Sequence, residues 1–524
     1  MKARIRASQV FLGVLIIIVW LLSPANMALA ADSTLSEVRS LLESGYVDPV
    51  SHDVLTASTV EQMLDRLGDP HTMYFNAQEY QDFINSMDNR FSGIGIHIEI
   101  VPAGVQVLGV ISGSPAEAAG MKAGDIIVQA AGQNLAGLAA EEAVSILRGP
   151  EGSQVDLQVK RGNETVKFTV TRQNIEEPTV KGELLNNHIG YIELNSFGST
   201  TAADFGQVVN QLRAQQADRW IIDVRNNPGG YLNSAIDLAG YFIGKQTVVN
   251  IKYRDNQSET YQAVDHGFTL NQPVFFLTNE NSASASEILS AAVKDHGQAV
   301  LVGTRTYGKG TVQSMFPLSN GGVLKMTVAR FYSPLGYEIN KVGVAPDLQL
   351  KTADHAKEAA ELLLTASSSA AGSDEYTTFT LGAKTYNISL ARARSEKYWQ
   401  AWGSMSDSLI DAQEQAERWQ AYYPGYQGLN RLTGIPLDKK FTVHFRGQIN
   451  WEKVNSDKVE LIDSADGRRV PISLEPLGDS DLKIVPQEAL EPGASYWLVI
   501  HPEIEDIHGV KMQKGALAVA ETVK

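Results

Sequence analysis

The sequence contains no cysteine, which excludes disulfides, thiol nucleophiles and cysteine metal sites, so the fold has to be held by its cores. It has no excess of positive charge either. A formal net charge of -16 argues against nonspecific binding of nucleic acid and says little about fold. The apolar run near the N-terminus, residues 10–22, is about 13 residues long, short of the roughly 20 that a membrane-spanning helix needs. Two hydrolase signatures are also missing: there is no G-x-S-x-G elbow and no H-E-x-x-H zinc pair. His71, His97 and His296 stand isolated along the chain, so each reads as a surface or packing residue. No internal repeat is evident, and nothing in the sequence points to a metal or cofactor.

What is present is length. At 524 residues the chain exceeds one ordinary core, and three or four domains are expected. Residues 1–30 read as an export signal: Lys2, Arg4 and Arg6, then the short apolar run, then Ala28-Leu29-Ala30 as an A-x-A cleavage site. Membrane association follows if this segment is retained. Residues 31–90 carry helically spaced apolar residues (Leu35, Val38, Leu41, Leu42, then Val60, Met63, Leu64, Leu67) and read as an N-terminal helical region ending in "LGDPHTMYF" and "EYQDFINSM".

From residue 91 to 175 the texture turns to short strands with glycines, a small-residue helix, a Lys-Ala-Gly-Asp turn, an amphipathic helix and a closing hairpin. This unit resembles a PDZ domain. Gly93, Ile94, Gly95 and Ile96 of "SGIGI" stand where that family binds a peptide carboxylate.

Residues 176–350 alternate apolar strands with amphipathic helices, which indicates an α/β layer structure whose chemistry sits at strand-to-helix turns. Residues 351–435 read as a linker and helical segment: a helical piece at 356–364, then the Ser/Ala-rich "TASSSAAGS" as the linker, then an aromatic helical stretch. Residues 436–524 alternate as β-strands. Their "LEPGASYWLVI" and "IEDIHG" resemble a bacterial immunoglobulin-like domain.

Three loops of the α/β block stand out. "NENSASASEIL" puts Ser282, Ser284 and Ser286 at the start of a helix, where free N–H groups and the helix dipole stabilise an anion; the same serines are equally good helix caps. "DVRNNPGG" ends a strand in a turn whose backbone N–H groups could face a substrate carbonyl, or is merely a tight turn. "TRTYGKGTVQ" holds Lys309 between two glycines after a buried strand, where a lysine loses its proton more easily than in water. A solvated loop lysine is the plainer alternative.

In this order, together with "LGDPHTMYF", "FSGIGI", "SPAEAAGMKAGD", "LRGPEGS" and "GVAPDL", the loops resemble the carboxyl-terminal processing peptidases, or tail-specific proteases. The resemblance covers residues 35–350. It implies a multidomain α/β protein with a crotonase-like catalytic core and a PDZ domain placed before or within it, to which residues 436–524 add a C-terminal β-rich extension. It implies Ser284 as nucleophile, Lys309 as general base, Gln313 as the residue that orients the lysine, and Asp295 in a supporting role. The oxyanion hole would combine the N–H of Ala285 with one from Gly229 or Gly230. Substrates would be proteins recognised through apolar C-terminal tails. Arg148, at the end of the second PDZ helix, is either a C-terminal cation on the helix dipole or a regulatory contact that aligns Lys309 and Gln313. Two rivals remain. A catalytically silent scaffold binding C-termini has no need to keep Ser284, Lys309 and Gln313 together. An acyl-enzyme of the penicillin-binding type needs S-x-x-K on one helix, which "SASASEIL" lacks.

Overall fold

The computed structural model describes residues 24–255, 257–270, 273–366, 375–409 and 417–524. Residues 1–23 of the expected export signal lie outside that set, as do residues 367–374, most of the expected flexible linker. A helix, Pro24–Gly45, runs through the expected cleavage site. Among the described residues no helix is long and apolar enough to cross a membrane.

The α/β block forms a six-stranded sheet in the order Val180–Leu185, Ile189–Leu194, Arg219–Asp223, Val274–Thr278, Val300–Gly303 and Leu348–Gln349. The last five strands are parallel and the first is an antiparallel edge. Val274–Thr278 is buried at every position, as a central parallel strand covered on both faces must be. The helices Thr201–Ala214, Leu232–Ile243 and Ala285–Asp295 cover one face and share a core with it. A second, antiparallel sheet lies across the same core: Met73–Phe75, Val323–Tyr332, Thr247–Tyr253 and Ser258–Gln262, with Thr311–Pro317 also paired to Val323–Tyr332.

Residues 31–90 hold helices and the short strand Met73–Phe75, and they do not stand apart. Met73 pairs with Lys325 and Phe75 with Val323, and Val38, Leu42 and Met63 form a cluster with Leu318, Leu324 and Met326. The PDZ unit is therefore inserted within the catalytic unit. The strands that enter and leave it, Arg90–Gly93 and Gln173–Glu176, pair as a two-stranded ribbon.

The inserted unit has the expected elements: the hairpin Ile96–Val101 and Gly104–Val110, the one-turn helix Pro115–Ala118, the helix Ala140–Leu147 and the hairpin Gln154–Arg161 with Glu164–Thr171. Ile96–Val101 lies at the edge of its sheet, paired on one side only among the described residues.

Beyond residue 350 the described residues hold further regular elements. The helix Ala356–Leu364, the hairpin Tyr376–Leu381 with Lys384–Ser389, and the helix Glu396–Leu409 join the second face of the six-stranded sheet in one core. Beyond them, five- and three-stranded sheets enclose a further core as a β-sandwich.

Candidate active site

The three loops singled out above leave the carboxyl ends of adjacent parallel strands. Asp223 ends one strand before the Asn-Asn-Pro-Gly-Gly turn, Thr278 ends the next before the serines, and Gly303 ends the third before Lys309. Ligands of open α/β sheets bind at such strand ends.

Ser284 is the residue before the Ala285–Asp295 helix, with φ 56° and ψ −111°. This is a strained conformation for a residue with a side chain, costing on the order of 1–3 kcal/mol, and the loop around it is tied down at many points. Ser282 Oγ donates to the Val224 carbonyl at 2.8 Å and Ser286 Oγ to the Asn227 carbonyl at 2.9 Å. Asn226 and Asn279 exchange hydrogen bonds of 2.9 and 2.8 Å across the two loops. Of the three serines only Ser284 lines the adjoining cavity of about 460 Å³, with Gly229, Gly230, Ala285, Lys309 and Gln313.

Gly229 cannot carry a side chain here. Its φ is +103°, and a Cβ would fall 2.8 Å from the Ala283 carbonyl oxygen and 2.9 Å from the Ala285 nitrogen, so only glycine lets the two loops meet. Its own N–H is spent on Asn227 Oδ1 at 2.9 Å. Gly230 differs. Phe197 N–H donates to the Gly229 carbonyl and Tyr231 N–H to the Phe197 carbonyl, a parallel bridge that turns the Gly230 N–H away from Phe197.

The group missed in the sequence is Glu287. It is fully buried and accepts from the backbone N–H of Ser284 at 2.9 Å, Lys309 at 2.8 Å and Gly308 at 2.7 Å, and from Thr306 Oγ1 at 2.6 Å. One carboxylate thus joins the serine turn to the lysine loop. Burial pushes its pKa up, and the four donors, which favour the anion, oppose that shift. The available signal was its place three residues after Ser284, the acidic position of a helix capping box.

Burial lowers the pKa of Lys309, against the opposing charges of Glu287 and Asp69. A second lysine, Lys325, enters the same cavity. It is only 8% exposed, with Nζ 4.7 Å from the centre of the Phe83 ring, and burial, then Lys309, lowers its pKa to about 8. His71 is not isolated. Burial and then Lys309 lower its pKa. His97 pairs with Glu177 at 3.3 Å, and His296 Nε2 lies 2.7 Å from the Thr247 carbonyl.

Gln313 donates from Nε2 to Thr311 Oγ1 at 2.9 Å and to Thr327 Oγ1 at 3.3 Å. Asp295 is not brought to the site. It ends the helix that Ser284 begins, roughly 15 Å away along the axis, and accepts from the Leu335 N–H at 2.9 Å. Arg148 does not reach Lys309 or Gln313. Its guanidinium lies 5.3 Å from the Phe91 ring centre, beside a separate cavity of about 890 Å³ that it shares with Gln78, Asp82, Asn85 and Ser86. Those residues belong to the Ala77–Met87 helix, which presents Tyr80, Phe83, Ile84 and Met87 to the catalytic cavity.

In the PDZ unit the Ile94 carbonyl accepts from Ala116 N–H and the Gly95 carbonyl from Ile111 N–H and Ser114 Oγ. Gly95 has φ +83°, and a Cβ there would sit 2.2 Å from that of Ser114. With its carbonyls turned inward, the loop opens onto the unpaired edge of Ile96–Val101.

Comparison with known proteins gives the family. Peptidase family S41 matches residues 188–350 and a PDZ domain matches residues 106–161. The chain is 40% identical over 296 residues to a carboxyl-terminal-processing protease of Picosynechococcus sp., covering 55% of this chain and 71% of that protein. It is 31% identical over 325 residues to the carboxy-terminal processing protease CtpA of Bacillus subtilis, covering 62% and 70%. Among solved structures it is similar to a photosystem II D1 C-terminal processing protease, with 28% identity, a TM-score of 0.42, and coverage of 61% of this chain and 92% of that one. The chain therefore belongs to peptidase family S41, as a serine protease of the carboxyl-terminal processing kind that carries a PDZ domain.

Proposed function

We propose that the protein is an exported endopeptidase, acting in the cell envelope, periplasm or extracellular space, that cleaves proteins near apolar C-terminal tails through Ser284 and Lys309. The observation that carries this reading is the shared cavity: a strained Ser284 and a half-buried Lys309 face one space, and their loops are fastened to one carboxylate, Glu287. Neutral Lys309 takes the proton of Ser284, and the alkoxide attacks the peptide carbonyl. The oxyanion is held by the N–H groups of Ala285 and Gly230, since the Gly229 N–H is already engaged. The leaving amine takes a proton from the lysine. Water then hydrolyses the acyl-enzyme, with lysine again as base. Gln313 orients the lysine. Asp295 supports the far end of the nucleophile helix rather than the chemistry.

The substrate tail adds a strand to the open edge of Ile96–Val101 with its carboxylate at Gly93, Ile94, Gly95 and Ile96. Arg148 then acts on the site indirectly, through the Ala77–Met87 helix that lies between the two cavities. The core is taken as crotonase-like and residues 436–524 as immunoglobulin-like. The reading is tested on an unfolded protein with an apolar tail. Ser284→Ala and Lys309→Arg abolish cleavage, because guanidinium stays protonated, while Ser282→Ala retains turnover. Cleavage by Ser284→Ala at the wild-type rate removes the nucleophile, and an active Lys309→Arg enzyme removes the base.

A further inference from the structure

A glutamine amide is nearly symmetric in shape, and a half-turn exchanges its acceptor for its donor. Only the oxygen end can accept a hydrogen bond from a lysine. Something must therefore break the symmetry at Gln313 if it is to orient Lys309. We infer that Thr327, held by Asp69, is the positioning residue that fixes which end of the Gln313 amide is left for Lys309. This rests on the Ser284, Lys309 and Gln313 reading above.

Gln313 and Thr327 are direct partners across adjacent antiparallel strands, just after a register shift between Val312 and Gln313. Such irregularities re-aim a side chain. The amide nitrogen meets the hydroxyls of Thr311 and Thr327, but a hydroxyl can donate or accept, so threonine alone decides nothing. Asp69 decides it. Thr327 Oγ1 donates to Asp69 Oδ2 at 2.6 Å, Thr72 Oγ1 donates to the same oxygen at 2.6 Å, and the His71 N–H donates to Oδ1 at 3.0 Å. Burial alone would raise the Asp69 pKa. The Thr327 and Thr72 hydroxyls and the His71 N–H outweigh it and leave the carboxyl below its ordinary value.

An ionised carboxylate only accepts, so the single proton of Thr327 is committed to Asp69. The remaining lone pairs of Thr327 can only accept, and the group facing them must be the amide N–H of Gln313. Its oxygen is thereby left for the cavity that Lys309 lines. Thr327 and Thr72 are 1% and 4% exposed, which keeps water from substituting for either hydroxyl. The "LGDPHTMYF" segment thus acts on a residue about 240 positions later in the chain, through one strand pairing.

The test is a double-mutant cycle on a short chromogenic peptide, with thermal unfolding measured alongside. Thr327→Val removes the hydroxyl at nearly constant volume. It is expected to lower kcat about tenfold with KM unchanged, the equivalent of one neutral hydrogen bond. Thr327→Ser, which keeps the hydroxyl, restores most of the rate. In a Gln313→Ala background Thr327→Val has no further effect. Equal losses in both backgrounds overturn the inference, as does a Thr327→Val enzyme with wild-type kcat. If Thr327→Val fails to fold, Asp69→Asn enters the same cycle, because an amide there frees the Thr327 proton to turn toward Gln313. Its loss of kcat is likewise expected to vanish in the Gln313→Ala background. A fully active Gln313→Ala enzyme beside inactive Ser284→Ala removes this inference and spares the nucleophile. Turnover by Ser284→Ala instead marks failure of the underlying reading.

Discussion

The two faces of the six-stranded sheet are equally well buried and do different work. On one face, the helices that start at Leu232 and Ala285 follow turns built from buried polar groups: Asn227, Asn279, Ser282, Ser286 and Glu287. On the other, the C-terminal segments contribute aromatic bulk. Trp399 is fully buried, with its ring centre 4.2 Å from that of Tyr422 and 5.1 Å from that of Trp497. Its indole N–H reaches the Ser464 carbonyl at 3.0 Å. Apolar and aromatic burial is non-directional and supplies stability in proportion to area. Buried hydrogen bonds add little net energy but fix geometry, and are costly to break singly. Both faces therefore hold the sheet, the first through a core that includes Trp220, Phe205, Phe242 and Phe276, and the polar turns of the first face in addition set where the site's atoms are. Arg225, paired with Asp223 at 2.6 Å, reaches across to the Ala353 carbonyl at 2.7 Å.

The sharpest way to break this division is on the aromatic face. Trp399→Ala is expected to cost about 3–5 kcal/mol of stability, as for other large-to-small changes in packed cores, with kcat unchanged at temperatures where the protein stays folded. Denaturant titration and peptide hydrolysis measured together decide it. A loss of kcat without loss of stability would mean that the extension shapes the site directly.

On the polar face, Glu287→Gln puts an NH₂ group where two of four donors need an acceptor. A loss of roughly 2–4 kcal/mol is expected, from one or two unsatisfied buried donors, and here kcat falls as well because the Ser284 and Lys309 loops come apart. Equal activity with reduced stability would make Glu287 a brace without influence on the chemistry.

The pH profile comes next. Only the neutral amine accepts the serine proton, and burial lowers the Lys309 pKa against the pull of Glu287 and Asp69. The value of kcat/KM should rise with pH through an inflection below the ordinary lysine range. An inflection at the ordinary value would place the lysine in water.

The smallest effect is at Arg148, an exposed residue over Phe91. Arg148→Ala should leave the unfolding midpoint nearly unmoved while removing stimulation of peptide hydrolysis by an added apolar-tail peptide. Equal stimulation of both enzymes would reduce Arg148 to a helix-end cation.

Much of this was legible in local pattern. The apolar run "VFFL" became the body of a strand, Val274–Thr278, buried at every position, and the glycine punctuation of residues 91–175 became the hairpins and helices of the PDZ unit. Glu287 was not legible as a site residue, because its meaning comes from Gly308 and Lys309, more than 20 positions away. The strand Met73–Phe75 was hidden for the same reason: three residues carry too little periodicity, and their partner is Val323–Tyr332. The hairpin Tyr376–Leu381 with Lys384–Ser389 was not read from the sequence, because it is defined by the core it joins.

By itself, the sequence determined the order of strands and helices, the turn residues that permit left-handed backbone, and the serine and lysine available for chemistry. These follow from side-chain volume, polarity and φ preferences, which act within a few residues. Only the tertiary structure decided that Ser284 faces the cavity while Ser282 and Ser286 are bound to carbonyls, that the Gly229 N–H is held by Asn227 Oδ1, and that Asp69 lies behind Gln313. Hydrogen-bond direction depends on which donors and acceptors meet, and here they meet through pairing between distant strands.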